Sequence, residues 1–102
     1  MRSILFRWVV SVAILCAPAY AQAADVARGE TLAKRWCAAC HLVAPDQNRA
    51  TPDTPSFAAI ARRQDAPPLP AFLAMSHPRM PDMGLSRAEI ADLAAFIKTK
   101  AP

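Results

Sequence analysis

The chain reads as an all-α domain in which the first and last helices cross and short middle helices lie between them. Three observations carry that reading. No stretch alternates apolar and polar residues at the period of two that a half-buried strand requires. Two terminal segments, one starting at Asp25 and one at Ser86, place apolar residues at helical spacing. Between them, eight of the ten prolines cut the chain into pieces too short for a long helix.

The elements follow in order. Asp25 is a good N-cap, and Gly29, Leu32, Ala33 and Trp36 then mark one face of a first helix. Glu30 and Lys34 stand four apart, as an ion pair on the outer face would. Gly29 on the inner face weakens the helix by about 1 kcal/mol against Ala, so its presence argues for close approach of another helix. That partner is the last helix. Ser86 and Glu89 form a capping box, and Ile90, Leu93, Phe96 and Ile97 share a face, with Phe96 the expected neighbour of Gly29. Lys98 and Lys100 suit the C-terminal end of the dipole. In the middle, residues 45–54 read as a loop and Pro55-Ser56 opens a short helix carrying Phe57, Ile60 and Ala61. Residues 65–68 form a turn, a second short helix covers about Leu69 to Met75, and His77 to Leu85 is expected to be extended.

Chemistry concentrates in Cys37-Ala38-Ala39-Cys40-His41. Two thiols three positions apart, followed at once by a histidine, fit covalent haem attachment. Residues three and four apart share a helical face, so both sulfurs and the imidazole meet one flat ligand. The thiols can add across the two vinyl groups, and His41 can take the proximal side of the iron. Three other readings compete. A thioredoxin-like redox pair expects a βαβ setting, and the chain has no β-rich runs. A zinc site needs four ligands, and the remaining Cys and His are Cys16 and His77 alone. A structural disulfide gives His41 no role.

The first residues point to export. Arg2 and Arg7 precede an apolar run from Trp8 to Ala17, then Pro18 and small residues through Ala24. A positive start, a short apolar core and an A-x-A site make a secretory signal peptide. Cleavage after Ala21 or after Ala23 fits the rule, with Ala21 favoured, giving residues 1–21 as leader and 22–102 as one domain. The run is far short of the roughly 20 apolar residues that span a bilayer, so the mature chain has no expected span. Leu15 before Cys16 argues against a lipid-modified cysteine, so Cys16 leaves with the leader. Loss of Arg2 and Arg7 lowers the net charge from +4 to +2, which gives no argument for binding nucleic acid. A domain this small gains from a staple, and a covalent cofactor supplies one.

An iron held by His41 has a second side. Met75, Met80 and Met83 are the methionines outside the leader. Met80 is the expected ligand, because Pro78 and Pro81 stiffen its segment and the final helix can clamp it. Met83, His77 or an open site are the alternatives, and Met75 is expected to pack on the haem face. Trp36 is read as ordinary core, the alternative being that it shields a haem edge or reaches a propionate. Arg49, Arg62, Arg63 and Arg79 either ring an exposed haem edge or form a solvated face.

With these residues in place, the chain resembles a bacterial class I cytochrome c. The likeness rests on Gly29 eight residues before Cys37, the CAACH motif, Pro55-Ser56-Phe57, Met80-Pro81 and the apolar face of the last helix. The resemblance implies the cytochrome c fold, one covalent haem c, and a carbonyl accepting a hydrogen bond from the ring N–H of His41. Pro55 is the expected acceptor, with Pro45 and Pro52 as alternatives. The glycine-rich loop that many relatives carry after the haem histidine is absent. The implied function is a periplasmic one-electron carrier, not an enzyme, with donor and acceptor proteins as redox partners. The alternative is a tightly bound cytochrome subunit of a periplasmic dehydrogenase or oxidoreductase.

Overall fold

The computed structural model describes residues 23–64, 67–75 and 77–102. The expected leader and Cys16 lie outside the described residues, as do Asp65 and Ala66 of the expected turn. Among the described residues there are four α-helices and no strand, which is the expected all-α class: α1 (Val26–Leu32), α2 (Phe57–Ala61), α3 (Leu69–Leu73) and α4 (Arg87–Lys98).

Helix α1 opens as its sequence dictates. The Asp25 carboxylate accepts from Arg28 N at 3.0 Å, and Lys34 reaches Glu30 at 2.7 Å on the outside. The helix then changes winding. Residues Ala33–Cys37 form a π turn rather than a further α turn. The physical reason lies in the buried line Gly29, Ala33, Cys37. A step of four residues over-rotates an α-helix by about 40°, and the wider π turn takes that rotation back. Cys37 therefore ends up in the core, and its neighbour Trp36 does not. The expectation that Trp36 is core is wrong: it is 44% exposed, with the Arg35 guanidinium 4.9 Å from its ring centroid.

Helix α4 is set by its capping box. Ser86 Oγ accepts from Glu89 N at 3.2 Å, and Glu89 accepts from Ser86 N at 2.7 Å. Leu93, Phe96 and Ile97 are buried as the spacing predicts, and Ile90 is half-buried. Full burial of each large apolar side chain is worth about 1.5–3 kcal/mol. The crossing is tight: a Cβ on Gly29 would lie 2.0 Å from Asp92 O and 2.9 Å from Phe96 Cβ. Asp92, a buried acid in α4, ties the start of α1 to this crossing. It accepts from Asp25 N at 2.8 Å and lies 3.7 Å from Arg28 Nε.

The middle helices are short for local reasons. Ser56 caps α2 by accepting from Ala59 N at 3.1 Å, which sends Phe57 into the core. Pro70 lies in the first turn of α3, where a missing N–H is harmless. The segment after α3 departs from expectation. His77 to Met80 is a tight turn closed by Met80 N donating to His77 O at 3.2 Å, not an extended run. Proline at the second position of a β-turn explains it, since its fixed φ suits that corner.

Candidate functional site

The motif sits where the π turn runs out. Cys40 N and His41 N both donate to Cys37 O, at 3.1 and 2.9 Å, so Cys37, Cys40 and His41 share one turn of chain. Both thiols are free. Cys37 is buried and Cys40 exposed. Burial, and then the neighbouring Cys40, push the Cys37 thiol up to about 11.

His41 is held from its far side. Its Nδ1 lies 2.6 Å from Pro55 O. A carbonyl oxygen can only accept, so Nδ1 carries a proton, and Nε2 is the ring nitrogen left to coordinate. Pro45 and Pro52 are not the partners. The Phe57 ring backs the imidazole at 5.6 Å between centroids, and Phe96 backs Phe57 at 6.1 Å. The imidazole is thus braced through Phe57 to α4. Phe57 N donates to Leu42 O at 2.9 Å, which returns the chain to the motif.

The loop between His41 and Pro55 contains no glycine. Its sharpest bend uses Asp53 at φ 64°, a residue type that tolerates the left-handed region. Val43 anchors it in the core at 2% exposure. Gln47 braces it through its side-chain amide, with Oε1 accepting from Val43 N at 3.1 Å and Nε2 facing backbone carbonyls. Sequence reasoning passed over Gln47, because a glutamine in a polar loop carries no local mark of what it will reach. Asp92 was passed over for a similar reason: its partner Asp25 is 67 positions away.

The candidate second ligands gather elsewhere. Leu73, Met75, His77, Met80 and Met83 line one shallow concavity. Met80 and Met83 are half-buried. Met75 is 59% exposed and lies beyond the end of α3, not on a helical face. His77 is engaged locally: its Nδ1 donates to Met75 O at 2.7 Å and its ring packs 3.7 Å from that of Phe72. Arg49, Arg62, Arg63 and Arg79 are exposed. No helix among the described residues is long and apolar enough to cross a membrane.

The donor set fits a covalently held haem. Two free thiols and an imidazole with an available Nε2 share one turn, and thioether-bearing side chains line a concavity after α3. Comparison with known proteins agrees. Residues 24–97 match the family model described as cytochrome c oxidase, cbb3-type, subunit III. A curated protein, cytochrome c-552 of Bradyrhizobium diazoefficiens, is 47% identical over 93 residues, which cover 89% of each chain. No solved structure matches.

Proposed function

We propose a function from one premise: this chain belongs to the small class I c-type cytochromes, electron carriers with a covalently bound haem c. On that premise it is a periplasmic one-electron carrier and not an enzyme. Residues 1–21 direct export and are cleaved after Ala21, and residues 22–102 form the single haem-bearing domain. When bound, the haem supplies reversible Fe(II)/Fe(III) chemistry. Cys37 and Cys40 would hold it by thioether bonds, and His41 Nε2 would ligate its iron. Pro55 O holds the Nδ1 proton of His41 and raises the basicity of its ring. Met80 would supply the second ligand, and its soft thioether would favour the reduced metal and raise the potential. With both ligands in place, no position would be left open for oxygen or peroxide. Exposed Arg49, Arg62, Arg63 and Arg79 steer acidic partner proteins, so electron-transfer rates fall as salt rises.

The observation that carries this reading is the 2.6 Å hydrogen bond from His41 to Pro55, formed beside two unpaired thiols. It orients the imidazole and leaves Nε2 as the nitrogen that can coordinate. The test is an optical spectrum of the Met80→Ala protein. Covalent haem should be retained and the weak sulfur-to-iron absorption near the red end lost. If that band persists, Met80 is not the ligand, and the role passes to Met83.

A second reading has one observation behind it. The matched family is described as a subunit of an oxidase, which favours a cytochrome that stays bound to a larger complex. Purification of the untagged protein from its native host separates the two. A permanent subunit brings its catalytic partner with it, and a carrier arrives alone.

A further inference from the structure

One side chain satisfies four backbone groups around the motif. Gln47 Nε2 lies 2.9 Å from Ala38 O, 2.7 Å from His41 O and 2.8 Å from Arg49 O, while Oε1 accepts from Val43 N at 3.1 Å. A primary amide has two N–H groups and one carbonyl oxygen, so two hydrogens are shared among three carbonyls. Ala38 O belongs to the cap of the π turn, where carbonyls run out of partners within the helix. The other long-range bonds along this stretch, Thr51 N to Cys40 O at 3.0 Å and Phe57 N to Leu42 O at 2.9 Å, join one pair each. Nothing else there grips the chain before, at and after His41 together.

We propose that Gln47 is the positioning residue for the His41 imidazole. It acts through the backbone. By holding the carbonyls of Ala38 and His41 against the returning strand of loop at Arg49, it fixes the peptide plane from which the ring projects. That plane decides whether Nδ1 meets Pro55 O and leaves Nε2 as the donor. A loop with no glycine cannot make the same turn by backbone freedom alone, so a side chain does the holding. The inference rests on the reading of His41 as the iron ligand.

The test compares Gln47→Leu and Gln47→Glu in the haem-loaded protein. Leucine has similar bulk and removes all four bonds. Glutamate keeps the oxygen that accepts from Val43 N and removes both N–H groups. Two readouts report on the imidazole rather than on loop stability: the paramagnetically shifted resonances of the His41 ring, and the reduction potential. Both variants should shift those resonances. A weaker bond to Pro55 O makes the ring less basic and the oxidised metal less favoured. The ratio of ferrous to ferric stability should therefore rise by up to about tenfold, ~59 mV upward for one electron. His41 resonances and a potential equal to wild type in both variants would overturn the proposal, even if both unfold more easily. If neither variant loads haem, the wild-type protein decides. Its Gln47 amide protons should exchange slowly with solvent, and exchange as fast as that of an exposed glutamine amide would overturn the proposal. If the wild-type His41 ring shows no paramagnetic shift, it is the ligand reading that fails.

Discussion

The helix crossing and the methionine-bearing segment meet the same demand, to hold a side chain in place, by opposite means. At the crossing, α1 and α4 touch backbone to backbone, with Gly29 against Asp92 O and Phe96 Cβ. Ala33, Leu93, Phe96 and Ile97 fill the surroundings, and Asp92 answers an amide from the other helix. Between Met75 and Leu85, order comes from short-range bonds: His77 to Met75 O, Met80 N to His77 O, Gly84 N to Asp82. No residue from Met75 to Leu85 whose burial is described is fully buried. A fold can therefore fix one of its sides by packing and the other by turn chemistry. The two sides should then fail differently when disturbed.

The largest break is expected at Gly29. Gly29→Ala places a Cβ where backbone already stands, so the helices must separate. Overpacking usually costs about 1–3 kcal/mol, and contact with backbone rather than a movable side chain puts this site at or above the top of that range. Denaturant unfolding of the loaded protein measures it, and Gly29→Leu should block the haem-bound fold. An unfolding midpoint equal to wild type in Gly29→Ala would show that the crossing has slack. Asp92→Ala comes next. It deprives Asp25 N of its carboxylate partner and removes the pairing with Arg28, at about 1–3 kcal/mol by the same measurement.

Ser86 marks the border between the two regions, and its effect is smaller. Ser86→Ala removes an N-cap worth about 1 kcal/mol. The box is also pH-dependent. Hydrogen bonds from the Ser86 backbone, then its side chain, hold the Glu89 carboxyl below its ordinary 4.5. A carboxyl lowered on folding adds stability above its unfolded value, and loses it as pH falls through the folded one. The Ser86 backbone N–H survives in Ser86→Ala, so it is the penalty of Glu89→Gln that should shrink as pH drops below about 4.5, and a penalty constant down to pH 2 would remove the Glu89 charge from the account. The smallest effect belongs to the turn. Pro78→Ala frees the unfolded chain at a corner that proline already suits, so about 0.4–1 kcal/mol should be lost. A gain in stability there would mean that the proline is strained.

Legibility followed the range of the physics. CAACH was readable because covalent attachment demands fixed residue types at fixed spacing. Ser86 with Glu89, Ser56 and Asp25 were readable because caps are local. Gly29 was readable because a glycine inside a helix needs a reason. Trp36 was misread because a regular α period was carried through residues that wind more widely. The turn at His77–Met80 is not legible from its prolines alone, because proline both stiffens an extended run and favours corners. Gln47 and Asp92 were invisible for one reason. A polar side chain that serves distant backbone looks like any surface residue until the chain's path is known.

The widened turn before the first cysteine has a consequence for the length of the chain. Between Ala33 and Cys37 the polypeptide carries a residue more than regular winding would use. Two single-residue changes there should act unequally. A deletion returns the coil to ordinary pitch with seven steps between Gly29 and Cys37, within about 20° of two full turns, so the thiol keeps its compass point. An insertion finds no further width to fill and swings everything downstream about the axis by about 100°. The distance in sequence between that glycine and that sulfur is thus a phase setting that has slack in one direction only.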